Sequence, residues 1–390
     1  MKVVLVLPAM ARPFGDTAAR WSYVLVKGLL ARGDEVVCFV VTEEKPEVVE
    51  TARRELAGLA RPGQFTFRVF SPIPRCSVWR RKLRSILRPY GETYYAEGLR
   101  EALAAEARRG YDVLHLEQLW TGWLGSGSNR TLLNIHHFEI IDLEGQGTGS
   151  LAERKAFLQM RRATHRIVRA QRRMRMFTPR LLEKAKGINP EATYDVIPFA
   201  LDLNHYALQP AATEPVFGMI GSMHWNPSRS AGERLITRIW PRVKKRVPRA
   251  RLFVAGWHAR KHLGKFLPLP DVTLEDSVPH PTDFFAKAAV MVYAPSRGSG
   301  MKIKVMESMA YGVPVVTTWE GVEGLEHENG RHCWVEEEDD AIAGRVADLL
   351  EQPVARERMR QAARALIAER YSPEPVMAQL LRVYDQIKAS

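Results

Sequence analysis

The stretch Pro295-Ser-Arg-Gly-Ser-Gly-Met-Lys-Ile-Lys-Val-Met-Glu-Ser-Met-Ala-Tyr-Gly-Val-Pro-Val-Val-Thr-Thr318 predicts a loop, a short helix and a buried strand in succession. An apolar run that closes at Tyr293 indicates another buried strand just before it. Apolar side chains spaced as on one face of a helix indicate a helix from Lys302 to Tyr311. Gly312 and Pro314 are typical of a helix end, because glycine accepts the left-handed conformation and proline does not continue a helix. The order strand, glycine loop, helix, strand predicts a βαβ unit of an α/β sheet.

The glycine loop and the start of this helix form a candidate phosphate site. The Gly298–Gly300 loop leaves backbone N–H groups free to bind an anion, and the first N–H groups of a helix lie at its positive end. Lys302 and Lys304 add full positive charge in the same turn. Glu307 lies one turn further along, where a carboxylate accepts hydrogen bonds from a diol such as ribose. The pattern indicates nucleotide binding, although a structural turn with solvated lysines and a Lys304–Glu307 ion pair has the same residues.

Length and composition indicate a two-domain protein without disulfide bonds. The chain has 390 residues, of which 46% are apolar, enough for well-buried cores. Cys38, Cys76 and Cys333 are far apart and show no CxxC spacing, so neither a disulfide framework nor a zinc site is indicated. A reduced, cytosolic protein is therefore expected. The N-terminal apolar run breaks at Pro8, too early for a signal peptide, and no segment approaches the roughly 18 apolar residues of a membrane span.

The charge of the chain points to an acidic partner or surface. The formal net charge is +13 and the isoelectric point is about 9.7. Segment 75–88 combines apolar and basic residues without any acidic residue, which predicts a basic amphipathic helix on an anionic membrane surface. A solvated basic helix packed on the core is the plain alternative, and nucleic acid is a further polyanion to consider. The basic residues of this segment are Arg75, Arg80, Arg81, Lys82, Arg84 and Arg88.

The N-terminal region also predicts a βαβ unit. A strand at 3–7, a loop containing Gly15, a helix at 18–31 and a strand at 36–41 follow one another. The loop lies at the carboxyl end of a strand, where open α/β sheets bind ligands. Glycines are too few there for a dinucleotide fingerprint, so a nicotinamide-dependent enzyme is not expected. Segment 153–176, rich in arginine, is predicted as one long helix.

The run from Gly298 to Thr318, followed by Glu320-Gly-Val-Glu-Gly-Leu325, resembles the donor-site signature of GT-B glycosyltransferases of the family 4 type (glycosyl transferases group 1). The resemblance extends over nearly the whole chain. It implies the fold class α/β, with two facing, doubly wound Rossmann-like domains and an interdomain cleft. An acceptor-side domain is expected at 1–205 and a donor-binding domain at 206–372, with the polar stretch up to Pro215 as linker. A C-terminal helix at 373–390 is expected to cross back to the first domain.

The resemblance also implies donor-binding residues, with two departures from the family pattern. Many members carry two glutamates eight positions apart; here Glu307 holds the second position and Ser299 the first, which puts the usual contact to the donor sugar in doubt. Most relatives clamp the pyrophosphate with an arginine and a lysine, where this chain has Ser222 and Pro227. Arg229 is the candidate for the missing charge. The donor-binding residues implied are Gly15, Gly221, Ser222, Arg229, Gly298, Ser299, Gly300, Met301, Lys302, Lys304 and Glu307.

The sequence Asn134-Ile-His-His-Phe-Glu139 follows a predicted strand at 131–135. His136 takes the position of a family histidine that lines the cleft near the sugar, although a histidine at a strand end is often structural. The predicted catalytic residues are His136, Glu139 and Lys302. Loop 145–149 is a candidate lid over the acceptor, and Trp257 and His258 are candidate contacts to the nucleobase. No DxD element is present, so no metal is predicted.

The function implied is a retaining transfer of sugar from a nucleotide-diphosphate sugar to a hydroxyl group of a glycan, a lipid-linked or a small-molecule acceptor. UDP is the expected nucleotide, with no cofactor. The protein is expected in the cytoplasm, with peripheral contact to the inner face of the membrane through 75–88, and no nucleic acid is expected. A nucleotide-sugar 2-epimerase would convert the donor without an acceptor, and a non-catalytic membrane-associated binder would not turn it over. A polyanion-binding protein would lose DNA affinity steeply with salt and would not respond to Glu307→Ala.

Overall fold

The computed structural model describes residues 1–72, 96–125, 127–143 and 150–390, and these divide into two units. Unit 1 comprises Met1–Ala200 together with Pro373–Ser390, and unit 2 comprises Leu201–Ser372. The boundary expected from the sequence lay after residue 205. The predicted basic helix at 75–88, Cys76 and the candidate lid at 145–149 lie outside the described residues.

Unit 1 contains a seven-stranded sheet in the order β3-β2-β1-β4-β5-β6-β7, with parallel pairing throughout. Its strands are β1 (Lys2–Leu7), β2 (Glu35–Val41), β3 (Phe65–Phe70), β4 (Val113–Glu117), β5 (Thr131–Ile135), β6 (Arg173–Met176) and β7 (Thr193–Val196). Its helices are α1 (Thr17–Arg32), α2 (Pro46–Gly58), α3 (Leu99–Arg109), α4 (Glu139–Leu143), α5 (Leu151–Ala170), α6 (Pro179–Lys186) and, from the C-terminal part, α14 (Pro373–Ala389). The strand order reverses between β1 and β4, which is where open sheets of this kind bind ligands.

The first βαβ unit forms for the reasons its sequence suggests. Val3 to Leu7 are fully buried, as expected of a central parallel strand covered on both faces. Asp16 caps the start of α1 by accepting a hydrogen bond from the N–H of Ala19 at 2.8 Å. Gly33 ends the helix with a φ of 93°, a conformation that glycine adopts without strain.

The prediction of one helix over 153–176 is wrong. Helix α5 ends at Ala170, and Gln171 has extended backbone angles (φ −94°, ψ 141°). Residues Arg173–Met176 form β6 between β5 and β7. Arginine and methionine are good helix formers, but pairing with two neighbouring strands and burial of Met174 and Met176 outweigh that preference.

Unit 2 contains a six-stranded sheet in the order β10-β9-β8-β11-β12-β13, again with parallel pairing. Its strands are β8 (Val216–Ile220), β9 (Arg251–Ala255), β10 (Val272–Glu275), β11 (Val290–Tyr293), β12 (Val315–Thr317) and β13 (Trp334–Val335). Its helices are α7 (Asn226–Arg234), α8 (Trp240–Arg246), α9 (Ala259–Leu263), α10 (Pro281–Phe285), α11 (Ile303–Tyr311), α12 (Asp339–Glu351) and α13 (Pro353–Arg370). A π-helical turn, Leu235–Ile239, joins α7 to α8.

The predicted fold class, two Rossmann-like doubly wound sheets, is confirmed. The stretch with which the sequence argument began forms β11, the glycine loop, α11 and β12 in that order. Gly312 ends α11 with a φ of 76°, so the predicted helix stop is confirmed as well. Within the described residues, no helix combines the length and the apolar character needed to cross a membrane.

Candidate functional site

Three backbone segments of unit 2 meet at the carboxyl end of its sheet: the turn after β8, the start of α7 and the loop before α11. A Cβ atom added at Gly221 would lie 2.9 Å from Cε of Lys304 and 3.2 Å from Oγ of Ser228. A Cβ atom added at Gly298 would lie 3.3 Å from Cβ of Pro227. Both glycines therefore permit close approach of these segments, as phosphate-binding turns require.

Lys304 lies at the centre of this meeting point. Its Nζ donates a hydrogen bond to Oγ of Ser228 at 2.8 Å. The ammonium also lies 4.8 Å from the ring centroid of Trp225 and 4.4 Å from that of Tyr293, and both aromatic faces attract a cation. Helix α7 begins at this point, so an anion here would meet the ammonium group and the positive end of a helix.

Lys302 has a different environment from Lys304. Its Nζ donates to the carbonyl of Gly300 at 2.5 Å and lies 3.7 Å from Oε2 of Glu323. Lys302 and Glu323 are both buried. The ion pair joins the glycine loop to the segment that follows β12, and Glu323 offsets the charge of Lys302. The catalytic role of Lys302 stays a prediction.

The other residues predicted for donor binding lie around the same loop and helix. Ser299, Met301 and Glu307 are buried, and Glu307 lies on α11. Arg229 lies on the first turn of α7, where its Nη2 donates to Oδ1 of Asn226 at 2.7 Å. The structure thus brings the predicted unit 2 residues to one edge of one sheet. Those residues are Gly221, Ser222, Arg229, Gly298, Ser299, Gly300, Met301, Lys302, Lys304 and Glu307.

An aromatic surface lies beside this edge. Trp257, directly after β9, is 58% exposed, and the backbone N–H of Met223 donates to its carbonyl at 2.9 Å. The rings of Trp257 and His258 meet edge to face with centroids 4.2 Å apart, and His224 lies 5.7 Å from the indole. An exposed indole offers a stacking face to a planar ligand.

The predicted residues of unit 1 are not brought together by direct contacts. Gly15, with a φ of 137°, precedes the cap of α1. Glu139 begins α4 and accepts a hydrogen bond from Nε1 of Trp120 at 3.3 Å. His136 lies just past the end of β5. Among the described residues, no hydrogen bond or ring contact joins Gly15, Glu139 and His136 to one another.

His136 instead belongs to a buried network built on Glu117, which sequence analysis missed. Glu117 closes β4 and is fully buried. Its Oε1 accepts from Nε1 of Trp21 at 2.7 Å and from Nε2 of His115 at 2.6 Å. Its Oε2 accepts from Nε2 of His136 at 2.6 Å, and Nδ2 of Asn134 donates to both oxygens at 2.9 and 2.8 Å.

The surroundings of Glu117 fix its protonation. Burial alone raises the pKa of a carboxyl group, but the interactions of Glu117 with His115 and His136 hold its pKa well below its usual range. An ionised carboxylate only accepts hydrogen bonds, so Nε2 of His136 is a donor and carries a proton. Burial lowers the pKa of His136, against the opposing effect of Glu117. His136 is therefore neutral near pH 7, with a lone pair on Nδ1.

Arg175 extends the row of polar side chains across the sheet. Glu117 pairs with Asn134 in the strand register, and Asn134 pairs with Arg175. The guanidinium group is fully buried 3.9 Å from the ring centroid of Trp21, and its Nη2 donates to the carbonyls of Ile197 and Pro198. Burial lowers the pKa of Arg175 to about 9. One signal for this network was available, because the apolar strand Val-Leu-His-Leu-Glu at 113–117 carries His and Glu two positions apart, on one face.

No group of His, Cys, Asp and Glu side chains in the described part of the chain has the arrangement of a metal site.

The chain is similar to a known protein family and to several solved structures. Residues 214–352 match the family model described as glycosyl transferases group 1. The chain is similar in structure to sucrose-phosphate synthase of Thermosynechococcus elongatus, with a TM-score of 0.72 and 15% identity over 100% of this chain and 99% of that one. It is also similar to HepE of Anabaena in complex with UDP and glucose, with a TM-score of 0.68 and 13% identity over 99% and 100% of the chains. TarM of S. aureus, in complex with Fondaparinux, α-GlcNAc-glycerol and UDP, gives a TM-score of 0.69 and 11% identity over 98% and 99%. No curated protein matches the sequence.

Proposed function

We propose that the protein is a retaining glycosyltransferase of the glycosyl transferases group 1 family, because residues 214–352 match the model of that family and the chain has the GT-B fold. It transfers a sugar from a nucleotide-diphosphate sugar to a hydroxyl group of a glycan, a lipid-linked or a small-molecule acceptor. The position of Lys304 carries the proposal. Its ammonium group adjoins the Gly221 turn and the start of α7, so it supplies the positive charge that Ser222 and Pro227 do not.

The proposed chemistry needs no protein nucleophile. The acceptor oxygen attacks the anomeric carbon on the face from which the diphosphate departs, so the configuration is retained. The carbon–oxygen bond to the diphosphate breaks, and the acceptor's proton passes to a diphosphate oxygen. The developing negative charge is stabilised by Lys304, by the N–H groups of the Gly298–Gly300 loop and by the start of α7.

The remaining parts of the donor are assigned by chemistry. Glu307 accepts hydrogen bonds from the ribose hydroxyl groups, and the exposed ring of Trp257 stacks on the base. UDP is the proposed nucleotide, since the HepE and TarM structures contain it. His136 contacts a sugar hydroxyl group through its neutral imidazole. A cytoplasmic location is also proposed from the cysteine spacing, and contact with an anionic membrane surface is proposed from the sequence of 75–88 alone.

Nucleotide binding tests the donor site directly. Thermal unfolding is measured with UDP, GDP, ADP, dTDP and their sugar conjugates, on the wild type, Lys304→Met, Glu307→Ala and Lys245→Met. We expect UDP and UDP-sugars to raise the melting temperature of the wild type. A charge-assisted hydrogen bond contributes about 1.5–3 kcal/mol, so Lys304→Met should weaken UDP binding about 10- to 100-fold. Lys245 is exposed on α8, and its replacement is the matched control that should leave binding unchanged.

The outcomes separate the alternatives. Nucleotide binding that is equal in wild type and Lys304→Met would contradict the site. Binding without sugar transfer to any acceptor would favour a non-catalytic binder, and conversion of the free donor to its 2-epimer would favour an epimerase. If no nucleotide raises the melting temperature, salt-dependent binding to DNA becomes the function to test. For an active enzyme, the anomeric configuration of the product, read by NMR, decides between retention and inversion.

A further inference from the structure

We propose that Glu117 is a positioning residue: it holds His136 in the Nε2-protonated form and so keeps the Nδ1 lone pair for a hydroxyl group of the sugar donor or the acceptor. This inference rests on the proposed function for the identity of the hydroxyl-bearing ligand. The state of the imidazole ring itself is independent of that function and is measurable without any substrate.

The geometry fixes the ring from several directions. Oε2 of Glu117 accepts from Nε2 of His136 at 2.6 Å, and Asn134, two residues before His136, donates to the same carboxylate. The imidazole also lies 4.6 Å from the ring of Phe177, with 35° between the two planes. Trp21 and His115 hold the other carboxylate oxygen. These contacts hold the ring in one orientation. Nδ2 of Asn134 also lies 3.1 Å from Nε2 of His136, but it donates to both oxygens of Glu117, and an ionised carboxylate at Nε2 selects the tautomer that is protonated there.

The other ring nitrogen of His136, Nδ1, is buried and lacks a hydrogen-bond partner in the described part of the chain. A buried polar atom without a partner destabilises a fold, so its presence calls for an explanation. It lies just past β5, at the carboxyl edge of the sheet, and the side chain is 4% exposed. A hydroxyl group that donates to Nδ1 would supply the missing bond once the covering side chains move.

The network also includes helix α14. Since Glu117 accepts from Nε2 of His115, the Nδ1 atom of His115 accepts from the hydroxyl group of Tyr384 at 2.5 Å. Burial raises the pKa of Tyr384 well above its usual value, so this hydroxyl group keeps its proton. The hydrogen bonds therefore run from Tyr384 to His115 to Glu117, which His136 approaches from the other side. Loss of the Tyr384 hydroxyl group should loosen the position of the carboxylate that orients His136.

The first test reads the tautomer of His136 by NMR of the full-length protein labelled with 15N at histidine, with His136→Gln used to assign its signals. In the wild type we expect the proton on Nε2. In Glu117→Gln a single amide oxygen replaces two carboxylate oxygens, so it cannot accept from all the N–H donors that surround Glu117. The new amide NH2 group is itself a donor and requires an acceptor. The Nε2 atom of His136 then accepts and the proton moves to Nδ1. An unchanged tautomer in folded Glu117→Gln would overturn the proposal.

The second test separates positioning from general stability. We expect Glu117→Gln to lower kcat about 100-fold with little change in KM for the donor, because misplacement of a substrate contact acts on the reacting geometry. Glu117→Asp keeps the charge and should restore part of the loss, and Tyr384→Phe should give a smaller decrease. Glu106→Gln is the matched control, because Glu106 is also buried and paired, at 2.9 Å from Lys2. It should lower stability without changing kcat or the signals of His136.

Failures of the two proposals are distinguishable. If no donor is turned over, the transferase proposal fails, while the NMR experiment still decides the role of Glu117. If Glu117→Gln does not fold, Glu117→Ala takes its place: without the carboxylate acceptor the imidazole should show a mixture of tautomers, and a spectrum identical to that of the wild type would overturn the proposal. Equal losses of kcat in Glu117→Gln and Glu106→Gln would show that Glu117 acts through stability alone.

Discussion

Two glycine residues whose backbones nearly touch shape the candidate donor site. Gly256, after β9, has a φ of 135°, and a Cβ atom added there would lie 2.0 Å from the carbonyl oxygen of Gly221. The Gly221 turn is also tied to β9, because its N–H donates to the carbonyl of Ala255 at 3.0 Å. A side chain at 256 would therefore push against the turn that adjoins Lys304.

We predict that Gly256→Ala lowers the free energy of unfolding by about 2–4 kcal/mol, because it combines a strained φ with a backbone clash. It should also weaken nucleotide binding, since relief of the clash displaces the Gly221 turn. Gly264→Ala is the control: Gly264 has a φ of −58°, and an added Cβ atom meets no atom within 4 Å. Urea denaturation with and without UDP measures both effects. Equal stability of the two variants would contradict the packing argument.

The buried network predicts how stability depends on pH. The pKa of His136 is lowered in the folded protein by burial, so on acidification the unfolded chain binds a proton at this residue first. The pKa of Glu117 is also lowered in the folded protein, so in the unfolded chain this carboxylate binds a proton at a higher pH than in the folded protein. Both groups make the unfolded state bind more protons, and stability therefore falls as pH falls. The loss of stability that is due to His136 begins below about pH 6.5, and the loss that is due to Glu117 begins below about pH 4.3.

We predict that the wild type loses more stability than His136→Gln between pH 7 and pH 5. The glutamine variant keeps an amide donor for Glu117 but lacks the titrating imidazole. Urea denaturation at several pH values gives the slopes, and the difference between wild type and variant isolates His136 from other histidines. Identical slopes would show that His136 does not titrate as its burial implies.

Single residues differ in how well the sequence predicted them. Lys304 and Glu307 were identified because they lie in one short stretch with a glycine loop, where spacing alone suggests the chemistry. Glu117 was missed because its partners come from α1, from β4, from β5 and from His136 just past β5, while Tyr384 of α14 joins the network only through His115. The spacing of His115 and Glu117 within β4 is the single sequence signal for this group, and the spacing of the other partners along the chain gives none. The environment of Lys302 was equally out of reach, because Glu323 approaches it from beyond β12.

Among the elements, helix α13 stabilises unit 2 through its arginine side chains. Arg364 donates to the carbonyl of Tyr206 at 2.9 Å and to that of Ala310, near the end of α11. Arg360 donates to the carbonyl of Gln209 at 2.9 Å, and Arg356 donates to that of Ala212. Hydrogen bonds from α13 therefore hold the stretch up to Pro215, which was expected as a linker, within unit 2, and one of these arginines also bonds to α11.

We predict that Arg364→Met lowers the free energy of unfolding of unit 2 by about 2 kcal/mol, because it leaves carbonyl groups without their donor. Since α11 carries Glu307, UDP affinity should fall as well. Arg358→Met is the matched control, because Arg358 lies on the same helix and is exposed. Chemical denaturation followed by tryptophan fluorescence provides the measurement. A loss of stability as large in Arg358→Met would assign the effect to the helix rather than to the hydrogen bonds.

The elements also show where pattern reading fails. Strands β1, β5, β8 and β11 were predicted because apolar runs that end at glycine, proline or polar residues are typical of buried parallel strands. The residues of strand β6 were assigned to the preceding helix because Arg-Met-Arg-Met has no strand signature. Its conformation comes from the neighbouring strands, which lie about forty residues upstream and about twenty downstream.

At the scale of the molecule, each unit has its own parallel sheet and its own core. We predict that calorimetry shows two transitions and that UDP raises only the one that belongs to unit 2. At a UDP concentration of 100 Kd the added stability should be about 2.7 kcal/mol. Arg364→Met and Glu106→Gln identify the transitions, because they lie in units 2 and 1 respectively. One two-state transition for the whole chain would contradict this prediction.

Helix α14 belongs to unit 1 but follows all of unit 2 along the chain. It packs on α1, where Gly28 lies so close to Met377 that an added Cβ atom would be 2.7 Å from Cε. A ribosome adds about 5–20 residues per second, so roughly ten seconds or more pass between the synthesis of Ala200 and that of Tyr384. During that interval the nascent unit 1 has its sheet but not its last helix, and His115 has no tyrosine partner. Unit 2, which begins later, is complete first. His136, for which a catalytic role is predicted, would thus acquire its final surroundings only after unit 2 has been made.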